Sequence, residues 1–162
     1  MQKNSTRRRT AGWYSFMRAA VLLLALAVSA AAQDSTAKPA PAIADKTATV
    51  YGAKIHYQEA GSGPVVILLH GLGGDSSNWA QTIGPLAQKY RVIAPDQIGF
   101  GRSDKPMLNY RVATLVDFLD GLYKQLGITR ASLVGNSLGG FTAAAYALAH
   151  PEKVDRLVLV DA

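Results

Sequence analysis

Cysteine is absent from all 162 residues, which excludes a disulfide framework, a thiolate metal site and any cysteine-based redox chemistry. Acidic residues are absent from the first 33 positions, where five of the 17 basic ones sit: Lys3, Arg7, Arg8, Arg9 and Arg18. The remaining twelve face 11 acidic residues, so the net charge of +6 belongs almost entirely to the N-terminus. No basic surface is left on the body of the chain to point to a nucleic-acid partner. A long hydrophobic run is missing too. The longest, Ala19 to Ala32, is about 14 residues, short of the roughly 20 that span a bilayer. Internal repeats and blocks of like charge are also lacking.

The N-terminus has a basic head, then the apolar run, then small residues of the Ala-x-Ala kind and a polar exit at Gln33 and Asp34. This is the layout of a secretory signal peptide over residues 1–32, with cleavage expected before Gln33 or Asp34. The expected location is the periplasm or the exterior, with an uncleaved membrane anchor as the alternative. Residues 33–47 contain an Ala-, Pro- and small-polar-rich stretch, "STAKPAPAIADK", without apolar period; they read as a flexible linker. Residues 48–162 read as a folded domain.

Within that domain two kinds of segment alternate. "TATVYGAKIHYQEAGSGP" reads as a hairpin turning at Gly52. "VVILLHG" (Val65 to Gly71) is a continuous apolar run, as expected of a strand buried on both faces. "NWAQTIGPLAQKY" reads as a helix broken or bent at Gly84-Pro85, and "RVIAPD" as a short strand. Val112, Leu115, Val116, Leu119, Leu122, Tyr123 and Leu126 recur at steps of three and four, and Gly127 closes that helix. "ASLVGNS" is a strand, "LGGFTAAAYALAHP" a helix stopped at Pro151, and "DRLVLVDA" a sixth strand. The pattern predicts an α/β fold with a mostly parallel, doubly wound sheet. Its chemistry is expected at the carboxyl ends of the strands.

Two glycine-rich loops follow two of those strands. Gly135-Asn136-Ser137-Leu138-Gly139 matches G-x-S-x-G in a strand-turn-helix context. A turn that tight forces its central residue into unfavourable backbone space and leaves no room for flanking side chains. Ser137 would sit at a helix N-terminus, where N–H groups favour developing negative charge. Two plainer readings compete: a capped turn without chemistry, and a dinucleotide loop with Asp161 holding a ribose. The second fails because its middle glycine is Ser137. "LLHGLGGDSSNW" keeps an open backbone at Gly71, Gly73 and Gly74. An oxyanion hole needs two convergent N–H donors, and those of Leu72 and Leu138 are the candidates. Asn136 and Trp79, with Gly71 and Gly73, are candidate pocket residues, although Trp79 serves equally well as an anchor for the first helix.

Three stretches together, "HGLGG", "PDQIGFGRSDKP" and "VGNSLGG", closely resemble the α/β-hydrolase family over about residues 48–162. They are most similar to the branch of meta-cleavage-product hydrolases and small esterases, and the Asn136-Ser137 pair is similar to the carbon–carbon hydrolases. Relatives that dehalogenate alkanes or open epoxides place Asp where this chain has Ser137. The resemblance implies a Ser-acid-His triad in that chain order, two further strands and a helical cap after the sixth. It therefore implies that these residues are the N-terminal part of such a domain, truncated after the sixth strand. Some relatives carry the triad acid at the end of that strand, which makes Asp161 a candidate; the commoner place is one strand later.

No histidine in the sequence is placed to serve as the base. His56 falls in the hairpin and is expected to face solvent or a turn. His70 opens the oxyanion loop, where the family's histidine is structural. His150 ends the helix after Ser137, about 20 Å along it at 1.5 Å per residue. The loop containing Asp96, Gly99, Gly101, Arg102, Ser103 and Asp104 is expected to be a structural hydrogen-bond network with Arg102 as its hub. "RLVLV" would be an apolar strand with an uncovered outer side, a liability that proteins normally cover. The expected function is hydrolysis of carboxylic esters, or of carbon–carbon bonds in diketone-like acids, with a small-molecule substrate and no metal or organic cofactor. The competing expectations are a non-catalytic exported binding protein on the same scaffold and an inactive fragment.

Overall fold

The computed structural model of the protein describes residues 41–162. The signal-peptide expectation and the start of the linker lie outside the described residues. Two antiparallel strands, β1 (Ala44–Val50) and β2 (Ala53–Ala60), open the domain. They are joined at Tyr51 and Gly52, both at positive φ (49° and 83°), the geometry of the tight hairpin turn that matches strand twist. The linker expectation is corrected here, because β1 begins at Ala44 rather than after Thr47. Asp45 and Lys46 are held in register by His56 and Glu59 of β2, partners that a local composition reading does not include.

From β3 (Val65–Leu69) onward strand and helix alternate. A short 3-10 turn (Ser76–Trp79) leads into α1 (Ala80–Ala87), followed by β4 (Arg91–Pro95), α2 (Val112–Gln125), β5 (Ala131–Asn136), α3 (Leu138–Ala149) and β6 (Val154–Val160). Of the expected break or bend at Gly84-Pro85, the break does not occur, since α1 runs through Pro85 to Ala87. Proline removes only one donor, the helix ends two residues later, and Ile83 and Ala87 remain buried on the sheet. The α2 helix closes as its sequence predicts. Gly127 at φ 62° lets the N–H of Ile128 reach the Tyr123 carbonyl (2.8 Å) and its own N–H reach Lys124 (3.3 Å), the double cap that a left-handed residue makes possible.

The six strands lie in the order β1-β2-β4-β3-β5-β6, with β4, β3, β5 and β6 parallel. Alternate residues of β3 feed two cores. Ile67 and Leu69 pack with Leu119, Tyr123 and Tyr146 of α2 and α3, whereas Val66 and Leu68 pack with Ile83 and Ala87 of α1. Each fully buried side chain of this kind contributes about 1.5–3 kcal/mol, which is why the run tolerates no polar residue. The path from β3 leaves through α1 on one face, and the path from the neighbouring β5 leaves through α3 on the other. Beyond the carboxyl ends of β3 and β5 the two connections diverge and leave a crevice, the place where sheets of this class bind ligands. On β6, at the sheet edge, Leu157, Val158, Leu159 and Val160 are exposed.

Candidate active site

The crevice is a cleft of about 530 Å³ lined by the loop after β3, from His70 to Gly74, and by Asn78, Trp79, Asn136 and Val160. At the end of β5 the chain turns so abruptly that Ser137 adopts φ 48°, ψ −117°, a region that L-residues occupy only when their surroundings force it. Three contacts supply that force. Ser137 N–H donates to the Val160 carbonyl (3.0 Å), Asn136 Nδ2 donates to the same oxygen (3.2 Å), and Phe141 N–H closes the first helical turn onto Ser137 O (3.0 Å). Ser137 is exposed, and its hydroxyl has no hydrogen-bond partner among the described residues.

The flanking glycines are required by space. A Cβ on Gly139 would strike the carbonyl oxygens of Leu69 and His70, the second at 2.6 Å, and one on Gly135 would strike the Gly139 backbone. On Gly71 it would meet Asn136 Oδ1 at 2.9 Å and Ser137 Cβ at 3.4 Å, so the β3 loop lies directly against the serine turn. Leu72, whose side chain is 76% exposed, and Leu138, at the first position of α3, both have backbone N–H groups without an acceptor among the described residues. Leu138 packs against the core cluster that includes Ile55, Ile98 and Leu115. Trp79 does two jobs, lining the cleft and packing against the core under α1.

The three histidines are all committed elsewhere. His70 is fully buried; its Nε2 accepts from the Gln97 N–H (2.9 Å) and its Nδ1 lies 2.7 Å from the Gly71 carbonyl. That pairing assigns the tautomer with the proton on Nδ1. Burial pushes its pKa below the usual imidazole value, against the opposing pull of the Gly71 carbonyl and Asp96. His150 lies against the Tyr146 ring with centroids 4.7 Å apart. The solvent-facing expectation for His56 is wrong: it is 5% exposed, with Nδ1 2.9 Å from Asp96 Oδ2 and Nε2 2.9 Å from Asp45 Oδ1. β2 lies beside β4, which places this hairpin residue against the loop that follows β4.

That loop is a hydrogen-bond network, but its hub is Asp96 rather than Arg102. The fully buried Asp96 carboxylate accepts from the backbone N–H groups of Ser76 and Arg102 (both 2.7 Å) as well as facing His56. Arg102 contributes that backbone group, while its half-exposed guanidinium reaches out to Asp45 at 2.6 Å. A long cation is easier to hydrate than to bury, so the short carboxylate takes the centre. Burial works to raise the Asp96 pKa, but the hydrogen bonds from Arg102 and Ser76 and the His56 charge outweigh it, leaving the net value below the usual carboxylate range. Asp161 follows Val160 at φ 49° and makes no hydrogen bond or ion pair among the described residues.

The order of these parts, with a glycine loop after β3, a polar loop after β4 and a strained serine after β5, matches a family model described as the alpha/beta hydrolase fold over residues 64–162. The chain belongs to the alpha/beta hydrolase fold family. Over 114 residues it is 45% identical to an uncharacterized protein of Mycobacterium tuberculosis, covering 70% of this chain and 33% of that protein. Over 111 residues it is 44% identical to the 2-hydroxy-6-oxo-6-phenylhexa-2,4-dienoate hydrolase of Comamonas testosteroni, covering 65% of this chain and 39% of that enzyme. Among solved structures, it is similar to a meta-cleavage product hydrolase from Pseudomonas fluorescens, with TM-score 0.66 and 42% identity over 69% of this chain and 43% of that one. It is also similar to the epoxide hydrolase CorEH, with TM-score 0.71 and 34% identity over 73% and 42%. The chain thus spans between a third and two fifths of the length of these curated relatives.

Proposed function

We propose that the protein is a serine hydrolase of the alpha/beta hydrolase family in which Ser137 is the nucleophile. The observation that carries this reading is the Ser137 backbone at φ 48° with an exposed, unpartnered hydroxyl above the β3–β5 crevice. Strain of that kind persists where a structure is built to hold it. In the proposed reaction Ser137 Oγ attacks a carbonyl carbon and loses its proton to a base. The N–H groups of Leu72 and Leu138 stabilise the resulting oxyanion. Collapse expels the leaving group, which takes up a proton, and water then releases the acyl group from Ser137. The substrates are carboxylic esters or, in the sharper form, diketone-like acids whose leaving group is a stabilised carbanion.

None of His56, His70 and His150 contacts Ser137, and the first two have both ring nitrogens engaged. We therefore assign the proton acceptor of the full-length protein to a residue outside these 162, with Asp161, beside the serine turn, as a candidate acid. Epoxide hydrolases share the fold, but the resemblance gives them Asp where Ser137 stands, and this favours acyl chemistry here. We propose export as well, from the basic head and apolar run of residues 1–32; the mature protein should begin at Gln33 or Asp34 by intact mass. The test is Ser137→Ala in the full-length protein, assayed on short aryl esters and on a vinylogous diketo acid. Turnover should fall by about 10³-fold or more. Full turnover in the folded variant would sink the nucleophile assignment, and ligand binding without turnover in the wild type would favour the exported binding protein.

A further inference from the structure

We propose that Gln97, acting through His70, is a positioning residue that aims the Leu72 N–H into the cleft. The inference rests on the reading of Leu72 as an oxyanion donor. Gln97 grips His70 at two points: its backbone N–H donates to the His70 ring at Nε2 (2.9 Å), and its side-chain Nε2 donates to the His70 carbonyl (2.8 Å). Both residues are buried. Held in this way, the ring presents Nδ1–H to the Gly71 carbonyl at 2.7 Å, and the Gly74 N–H adds a second bond to the same oxygen at 3.1 Å.

A doubly anchored carbonyl fixes the plane of its peptide. No peptide bond among the described residues is cis, and in a trans peptide the N–H points opposite to the C=O. With the Gly71 oxygen turned toward the His70 ring, the Leu72 N–H must point away from it, on the stretch of backbone that lines the cleft. No described group accepts from that N–H, so its direction is held entirely from the carbonyl side. Gly73 at φ 73° has nothing within 4 Å of its absent Cβ. Nothing packs against the outer side of the loop at Gly73, so the His70 ring is the side-chain contact that sets the plane of the Gly71–Leu72 peptide. An oxyanion donor works because it is aimed before the charge develops. Here the aim comes from the loop after β4, on a different strand from either donor.

Two readouts in the full-length protein test this. The first is the ¹⁵N NMR signature of the His70 ring, expected as the neutral tautomer with Nδ1 protonated and Nε2 bare between pH 6 and 8 on the order of the imidazole titration range. Protonation at Nε2 would overturn the proposal, because that nitrogen could not then accept from Gln97. The second is kinetic. Gln97→Glu sets a carboxylate against the His70 carbonyl and should lower kcat by about 10–100-fold with KM within about twofold, a misaimed donor losing less than a deleted one. His70→Asn, which keeps a donor near Gly71 O, should retain more activity than His70→Ala. A folded Gln97→Glu protein with unchanged kcat, or one altered only in KM, would also overturn it. If Gln97→Glu fails to fold, the two His70 variants and the ring tautomer decide the question. If Ser137→Ala leaves turnover intact, the hydrolase reading falls by itself, and the ring tautomer still reports whether Gln97 and His70 are paired as described.

Discussion

The cleft has two flanks built on different principles. The serine turn after β5 is held by backbone packed on backbone, with Gly135 and Gly139 so close to neighbouring main chain that a single methyl group cannot be inserted, and with Gly71 pressed against the Asn136 side chain. The loop after β4 is held by side chains, with Asp96 accepting two backbone N–H groups and facing His56, which in turn faces Asp45. Steric confinement holds a strained residue rigidly and is indifferent to pH. A carboxylate-centred network answers to protonation. The proposed nucleophile thus stands on the rigid flank, and the loop after β4, which grips His70 through Gln97, is tied to groups that titrate.

Breaking the rigid flank should produce the largest effect. Gly139→Ala drives a Cβ into the Leu69 and His70 carbonyls, which belong to β3 and its loop and have no room to retreat. We expect a loss of more than about 3 kcal/mol in urea denaturation, at the upper end for overpacking. A loss under about 1 kcal/mol would show that the first turn of α3 moves off the end of β3 more easily than their packing suggests. Next is Asp96→Asn, which turns an amide donor toward donors already present and should destabilise by about 2–3 kcal/mol.

The same residue separates the flanks by pH. Its folded pKa lies below the ordinary carboxylate value, so its stabilisation is complete above about pH 4, the unfolded value, and is lost as pH falls through the lowered one. Wild-type stability should therefore decline on acidification below about pH 4, and Asp96→Asn should flatten that decline. An unchanged acid limb in the variant would remove Asp96 from the hub. The smallest effect is expected at Gly52, where φ is 83° but nothing lies within 4 Å of a Cβ. Gly52→Ala should cost about 1 kcal/mol from left-handed backbone alone, in contrast with the filled space around Gly139.

Much of the scaffold was legible in the residues. The apolar run of Val65 to Leu69, the three-and-four spacing from Val112 to Tyr123 and the Gly127 stop correspond to β3, α2 and its cap. These are local patterns, repeating within a strand or a few helical turns, and they act through burial, which periodicity reports directly. The serine turn was legible for a related reason. Glycines two residues on either side of a serine, between a strand and a helix, state a steric requirement in their own spacing.

What stayed hidden depended on distant partners. Strand β1 absorbs Ala44 to Lys46 because β2 supplies pairing for residues that look like linker. Gln97 carries no sequence signal at all; its importance comes from His70, 27 positions earlier. His56 looked like a hairpin residue in solvent until sheet order brought Asp96, 40 positions away, to its ring.

The residues alone determined the alternation of strands and helices, the turn that strains Ser137 and the family to which the chain belongs, because each is written in spacing over a few residues. The tertiary structure decided which polar groups are buried, that Asp96 rather than Arg102 is the hub, and that Gln97 reaches the loop bearing Leu72. Hydrogen-bond partners are chosen by which strands lie side by side, and the order β2-β4-β3-β5 exists only once the sheet has formed.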